Sequence, residues 1–309
     1  AAKRARQYDV VFADGEHVGL PLLLFLGLRL NRNQRVVILA HFMDRRWKQL
    51  LTRVGTRLIP GGTIVLHSEV QARLSESCAG PGWNIVTLPY QVDDEFWRAE
   101  TVPPHDRVMV VSAGREHRDY DTLAKAVEGL DVDVHIAAGS HWARADAATA
   151  QLPPNVMFLD RTLPFSDLRD LYNGADIVVV PVHPVSNQSG VTTILEGMSM
   201  SRPVIATATT GQREVLTGPL ATAAGCREEP TSDRGPQAIG LPSDPEPTGF
   251  YVNPGDIAGL RSAIRKLAAD PALRERLGMA ARMSVQRNFG VEQFADRFAR
   301  VIQAEGART

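Results

Sequence analysis

Asp176-Ile-Val-Val-Val-Pro181, followed after a loop by Ser189-Gly190-Val-Thr-Thr-Ile-Leu-Glu196, decides the fold. The first run is apolar at every position from Ile177 to Val180 and does not alternate, which marks a strand buried on both faces of a parallel sheet. The second opens on a glycine and continues as a helix through Met200. Strand followed by helix is the unit of an α/β protein. The same unit recurs outward in both directions. Strands are expected at 9–12, 35–39, 63–66, 83–87, 107–111, 132–136, 156–158, 176–180 and 203–206. Helices are expected at 120–129, 165–174, 190–200, 257–269, 271–289 and 291–304. The alternation predicts a doubly wound α/β architecture.

Asp93-Asp-Glu-Phe-Trp97 and Thr101-Val-Pro-Pro-His105 read as a proline-marked linker near 93–106, so two domains are expected. We take 1–98 as the first, 99–283 as the second, and 284–309 as terminal helices that pack back on the first. Residues from about 217 to 248 are rich in Pro, Gly, Ser and acids and read as a surface insertion.

Composition narrows the class. Of 309 residues, 44% are hydrophobic and 22% charged, which excludes collagen-like, coiled-coil and wholly disordered chains. The longest apolar stretch, Gly19–Leu28, is too short to span a bilayer and carries a proline. Cys78 and Cys226 have no metal-ligand spacing, which fits a reducing cytoplasm. The net charge of −1 is uneven: residues 1–60 hold 11 Lys/Arg and 4 Asp/Glu, giving +7, and the remainder gives −8. The basic end is therefore expected to meet something anionic. No P-loop, HExxH or GxSxG motif is present, and the basic residues lack aromatic interleaving, so nucleic acid is not an expected partner. Asp131-Val-Asp133 alternates within a strand and reads as a solvated strand edge rather than a metal site.

Two constellations carry chemistry. In Val111-Ser-Ala-Gly114-Arg115-Glu-His-Arg118-Asp-Tyr-Asp121, a strand ends at a glycine, two arginines follow, and Asp121 is expected to cap the next helix. Arg115 and Arg118 would stand over the carboxyl edge of the sheet, where open α/β sheets bind ligands and where arginines suit a phosphate. In the second, Gly190 lets backbone approach a ligand, and Ser189, Val191 and Thr192 open a helix whose amides and dipole favour an anion. Glu196, two turns inside among apolar and small neighbours, can accept both hydroxyls of a ribose.

Together these motifs resemble the donor domain of retaining glycosyltransferases of the GT-B fold, of the glycosyltransferase family 4 type. The resemblance rests on Gly114-Arg115…Arg118…Leu123, Ala175-Asp176…Pro181, Gln188-x7-Glu196, Met200-Ser-Arg-Pro203-Val-Ile-Ala-Thr207 and Gly249-Phe-Tyr-Val-Asn-Pro254-Gly-Asp256. It implies two Rossmann-like domains facing a cleft. It implies that Arg115 and Arg118 hold a donor diphosphate, that Gly114 and the Ser189–Thr192 helix start also meet it, and that Glu196 holds the ribose. Gln188 stands where the family has a glutamate that contacts the donor sugar. The base would lie near Leu159-Asp-Arg161-Thr162.

The N-terminal part resembles the acceptor domain from its fourth strand onward, so that domain reads as reduced or truncated, and the chain begins Ala1-Ala2-Lys3 without methionine. If the chain is whole, its sheet edge would need a partner chain. His41, at the end of Arg35-Val-Val-Ile-Leu-Ala-His41, matches a histidine facing the donor sugar; Glu16 and His17 are acceptor-side candidates. The resemblance implies no cofactor and no metal.

Arg45-Arg-Trp47-Lys48-Gln-Leu50-Leu51-Thr-Arg53-Val54-Gly-Thr-Arg57-Leu58 has an apolar stripe with basic residues around it. The expected reading is a helix that packs the stripe into the core with its arginines in water. The other is a helix that lies on an anionic membrane surface. The reading overall is transfer of a sugar from a nucleotide-diphosphate sugar, with retention, to a glycan, a lipid-linked sugar or a small molecule. It allows a homo-oligomer and a cytoplasmic protein peripheral on the inner membrane face. A nucleotide-sugar epimerase and a non-catalytic scaffold of the same fold remain open alternatives.

Overall fold

The structure is a computed structural model. It describes residues 5–28, 34–103, 106–139, 152–159, 161–185, 187–213, 215–217, 220–222, 225–227 and 246–308. In chain order the elements are β1 (Val10–Asp14), α1 (Glu16–Leu28), β2 (Arg35–Ala40), α2 (Arg46–Leu58), β3 (Gly62–Leu66), α3 (Glu69–Glu76), β4 (Trp83–Thr87), β5 (Val108–Ala113), α4 (Tyr120–Val127), β6 (Val132–Ala137), β7 (Val156–Leu159), α5 (Phe165–Gly174), β8 (Ile177–Val180), α6 (Val191–Ser199), β9 (Val204–Thr207), β10 (Leu220–Thr222), β11 (Gly225–Arg227), β12 (Gly249–Val252), α7 (Ile257–Ala269), α8 (Pro271–Asn288) and α9 (Val291–Gly306). All nine expected strands form, as do the six expected helices. α1, α3 and the strands β10 to β12 are additional. Residues 228–245 of the expected insertion lie outside the described residues.

The chain divides into two compact units, one of Ala1–Tyr90 with Glu292–Thr309 and one of Gln91–Ser232 with Pro242–Val291. The division falls at Tyr90, ahead of the proline-marked linker. The reason is Trp97, which is 5% exposed and packs edge-on against Tyr172 at 5.7 Å. Its carbonyl accepts from Ser199 Oγ at 2.7 Å and from Arg282, which ties the segment to the second unit.

The first unit is a parallel four-stranded sheet in the order β1-β2-β3-β4. Helices α1, α2 and α3 connect consecutive strands, and one core fills the space under them with Leu20, Leu23, Leu26, Ile38, Ile64 and Leu66. Gly19 sets how closely α1 lies on the sheet: a Cβ there would come 2.7 Å from Ile38 Cγ2. On the opposite face Val37, Leu39, Val65 and Leu88 pack against Val301, Phe294 and Phe298 of α9. α9 is fixed at its end by Glu305, 2% exposed, whose carboxylate accepts from Thr63 Oγ1 at 2.7 Å and pairs with Arg35 at 3.5 Å.

α2 corrects the core-packing expectation. Its buried residues are Thr52, Gly55 and Thr56. Trp47, Leu50 and Val54 are 55%, 59% and 42% exposed. Gly55 is buried because α1 crosses there, with a Cβ at Gly55 only 2.9 Å from Leu23 Cβ. Small residues therefore form the packed face together with half-buried Leu51 and Leu58, and Trp47, Leu50 and Val54 are left outside.

The second unit is built on an eight-stranded sheet, β11-β10-β12-β9-β8-β5-β6-β7, parallel apart from the β10/β11 pair. Its core joins Leu123 and Val127 of α4 to Val110, Val134, Ile136 and Val179 of the sheet and Leu260, Ile264 and Leu267 of α7. Asp131 and Asp133 both pair with Arg107, at 2.8 and 2.7 Å, on an exposed edge. Among the described residues no group of three His, Cys, Asp or Glu side chains could hold a metal ion.

Candidate active site

Topology marks a candidate site in the second unit. From β5 the chain moves through β6 to β7, returns to β8 on the other side of β5, and continues outward to β9. The direction of winding reverses between β5 and β8. Open α/β sheets leave a crevice at the carboxyl ends of such a pair, because the flanking connections leave on opposite faces. The two constellations read from the sequence follow β5 and β8.

After β5, Gly114 has φ +92°, a backbone state that favours glycine. Its amide donates to Ala137 O at 3.0 Å, and its carbonyl accepts from the Tyr120 hydroxyl. Burial pushes that phenol up to about 12, so it stays a donor. The cap of α4 is Asp119 rather than Asp121: its carboxylate accepts from the Thr122 amide at 3.1 Å and from Thr122 Oγ1 at 2.7 Å. Asp121 falls in the first helical turn. The Asp119 amide donates to Pro181 O at 3.0 Å, and the His183 amide to His117 O at 2.9 Å, so the loops after β5 and β8 are laced together.

Arg118 is the buckle between these loops. It donates to Ala113 O and Glu116 O, both at 2.9 Å, and to Thr193 Oγ1 at 3.0 Å. Its guanidinium lies over both key glycines: a Cβ on Gly114 would come 2.5 Å from Nη2, and one on Gly190 3.0 Å from Nη1. Arg118 thus puts a positive charge at the helix start while its hydrogen bonds hold the loops. Arg115, half-buried, stands next to Gly114 on the same loop.

After β8, Gly190 caps α6 with φ +91°. A side chain there would meet Val180, Arg118 and Gln212 within 3.1 Å. Val191 donates to Gln188 O, and the Ile194 amide makes the first helical bond to Gly190 O. Thr192, which is exposed, and Thr193 lie in the first turn, where helix geometry leaves amides without an intrahelical acceptor. Ser189 is buried, its carbonyl accepting from the buried Gln212 side chain. Arg161 is exposed beyond β7, and its carbonyl lies 2.0 Å from where a Cβ on Gly139 would be, so the ends of β6 and β7 meet there backbone to backbone.

Glu196 is two turns into α6. Tyr172 of α5 donates its hydroxyl to Glu196 Oε2 at 3.0 Å. Burial raises the carboxyl to about 7, although the Tyr172 hydrogen bond and the Arg118 charge pull the other way. Tyr172, which is fully buried, went unseen in the sequence because it reads as an ordinary core position of α5.

The first unit has its own cluster at the carboxyl ends of β2, β3 and β4. His41 Nδ1 is 3.5 Å from the Tyr90 hydroxyl, and its ring lies 5.3 Å from that of His67. His67, 6% exposed, stacks at 4.1 Å with Tyr90, and its Nδ1 lies 3.1 Å from Leu88 O. Burial, with the nearby His41, pushes His67 down to about 4 and keeps it neutral. Glu16 is not an exposed acceptor-side group. It is 5% exposed, its Oε2 accepts from the His41 amide at 3.0 Å, and its Oε1 from Lys48 Nζ at 2.7 Å. The carboxylate therefore fixes the backbone of His41. His17, the other acceptor-side candidate, is exposed at the start of α1.

Comparison with known proteins adds the family. The family described as glycosyl transferases group 1 matches residues 106–230, which span β5 to β11 and hold both loops. Those residues are thus similar to a glycosyl transferases group 1 domain. Sucrose-phosphate synthase from Thermosynechococcus elongatus is similar in structure over 100% of this chain and 76% of its own, at TM-score 0.72 and 20% identity. The Anabaena protein Alr3699/HepE, solved with UDP and glucose, is similar over 98% of this chain and 79% of its own, at TM-score 0.65 and 15% identity. These likenesses establish the GT-B fold. A Janthinobacterium formate-dependent phosphoribosylglycinamide formyltransferase is 35% identical over 82 residues, 26% of this chain. The chain spans only a fifth of the length of that curated relative (20%).

Proposed function

We propose that the protein transfers a sugar, with retention, from a nucleotide-diphosphate sugar to an acceptor hydroxyl. One observation carries the reading: at the switch point of the second sheet, a helix that starts on a left-handed glycine beside an arginine also carries a half-buried glutamate, two turns in, held by Tyr172. A nucleoside diphosphate has this complement of groups, an anion joined to a vicinal diol. The diphosphate is assigned to Arg115, Arg118 and the amides after Gly190. The ribose hydroxyls are assigned to Glu196, with the base beside Arg161. UDP and glucose are what the structurally similar HepE was solved with, which agrees with this ligand class.

In the transfer, the bond from the anomeric carbon to the phosphate oxygen breaks and a bond to the acceptor oxygen forms on the same face. The acceptor proton passes to the departing phosphate. Negative charge grows on the diphosphate as the bond opens, and preorganised cations and helix amides stabilise it. Gln188 takes the sugar-contact role through its amide. No metal enters the scheme. The chemistry needs no resident cofactor.

Calorimetry with UDP-, GDP-, ADP- and dTDP-sugars tests the assignment. One of them should bind, and Arg115→Ala should weaken it roughly 10- to 100-fold, the value of a charged hydrogen bond. Binding that Arg115→Ala leaves unchanged would remove the diphosphate assignment.

A further inference from the structure

The first unit carries a second feature that sugar transfer does not use. α1 and α2 lie side by side, with Gly27 and Gly55 letting them approach through Leu58 and Leu23. Both turn bulky apolar residues outward. On α1, Phe25 and Leu28 are 55% and 77% exposed; on α2, Trp47, Leu50 and Val54 are exposed. Charge is nearly as one-sided, with exposed Asp44 just before the α2 cap as the one acid there. Arg46, Arg53 and Arg57 are exposed along α2, Arg45 stands at its cap, and α2 contains no acidic residue. The acid nearest in the α1 sequence, Glu16, is buried and already paired with Lys48.

Local helix energetics does not account for this pattern. Arg45 and Arg46 sit at the positive end of the α2 dipole, where acids are the stabilising choice, and the cap makes no side-chain hydrogen bond. The arginines are badly placed for the helix and well placed for an external anion. Trp47, Leu50 and Val54 fall on one side of the exposed arc and Arg46, Arg53 and Arg57 on the other, which is the arrangement of a helix lying in the headgroup plane.

We propose that the α1–α2 face docks the protein on the surface of a bilayer containing anionic lipid. Trp47, Leu50 and Val54, with Phe25 and Leu28, enter the boundary of headgroup and acyl chain. Arg46, Arg53 and Arg57 meet the lipid phosphates. A bilayer suits the face better than an acidic protein: it takes apolar residues and arginines from one flat face at once and needs no shape complement. The proposal stands independently of sugar transfer, and no helix among the described residues is long and apolar enough to cross a membrane.

Flotation of the 309-residue chain with vesicles tests it. Vesicles of phosphatidylcholine with about one-third phosphatidylserine should capture the protein, and vesicles of phosphatidylcholine alone should capture far less. Each arginine near such a surface is worth about fivefold in partition, so Arg46→Gln/Arg53→Gln/Arg57→Gln together should weaken capture roughly 100-fold. Trp47→Ser/Leu50→Ser should also weaken it while leaving the salt dependence in place. All five residues are exposed, so circular dichroism and thermal unfolding of the variants should match wild type. Equal capture by both vesicle types would overturn the proposal, as would capture that survives the triple arginine change. Self-association that Leu50→Ser abolishes would overturn it too, by assigning the face to a second copy of the chain.

Discussion

Glu196 concentrates the physics of the candidate donor site. Its carboxyl is raised from 4.5 to about 7 mainly by burial. The folded protein therefore holds this proton more tightly than the unfolded chain. The stability that the proton contributes is present below about pH 4.5 and is lost as pH rises through about 7. The difference in melting temperature between wild type and Glu196→Gln should thus change steadily between about pH 5 and pH 8, against wild type, and parallel pH profiles would contradict it. Ligand affinity should move the other way: ribose hydroxyls donate best to the ionised form, so donor binding should strengthen through about pH 7 in wild type and be flat in Glu196→Gln. Gly190 makes a second test at this scale. Gly190→Ala meets both a left-handed backbone and Val180 at 2.8 Å, and should cost about 1–3 kcal/mol in urea unfolding as well as weakening the donor. Gly190 and Glu196 were legible in the sequence because a glycine before a helix and a carboxylate among apolar neighbours are local patterns. Tyr172 and Lys48 were not, since each matters through a partner 24 or 32 positions away. Glu16 was misassigned for the same reason: an exposed carboxylate and one clamped under Lys48 look alike in sequence.

At the scale of elements, the β-branched runs fixed nine strands because buried parallel strands are apolar at nearly every position. α1 escaped that reading. It is apolar on almost every side and contains Pro21, so it shows no helical period. β10 and β11 are three residues long and carry too little pattern to find. α2 shows how far periodicity reaches: it gave the helix and its apolar stripe, but the direction of the stripe depended on α1 crossing at Gly55. α9 ties the end of the chain to the first unit, and Glu305 is its fastening. Glu305→Ala leaves Thr63 and Arg35 without that carboxylate and should lower the stability of the first unit by about 1–3 kcal/mol. Hydrogen exchange should then rise in β3 and α9 while α4 and α7 of the second unit stay protected; uniform loosening of both units would contradict this account.

At the scale of the molecule, one chain combines a second unit whose strand order switches between β5 and β8 and a first unit of four strands holding His41, His67 and Tyr90. The +7 charge of the first 60 residues has acquired a location: much of it lies on α2, outside the chemistry, on the face proposed to meet lipid. We propose that the switch point between β5 and β8 binds a nucleotide-diphosphate sugar. Isothermal titration calorimetry of wild type and Glu196→Ala with the four nucleotide sugars tests it most directly. At least one of them should bind saturably, one to one, and at least tenfold more weakly to Glu196→Ala; no binding by any, or equal binding by the variant, would remove the donor site from the switch point.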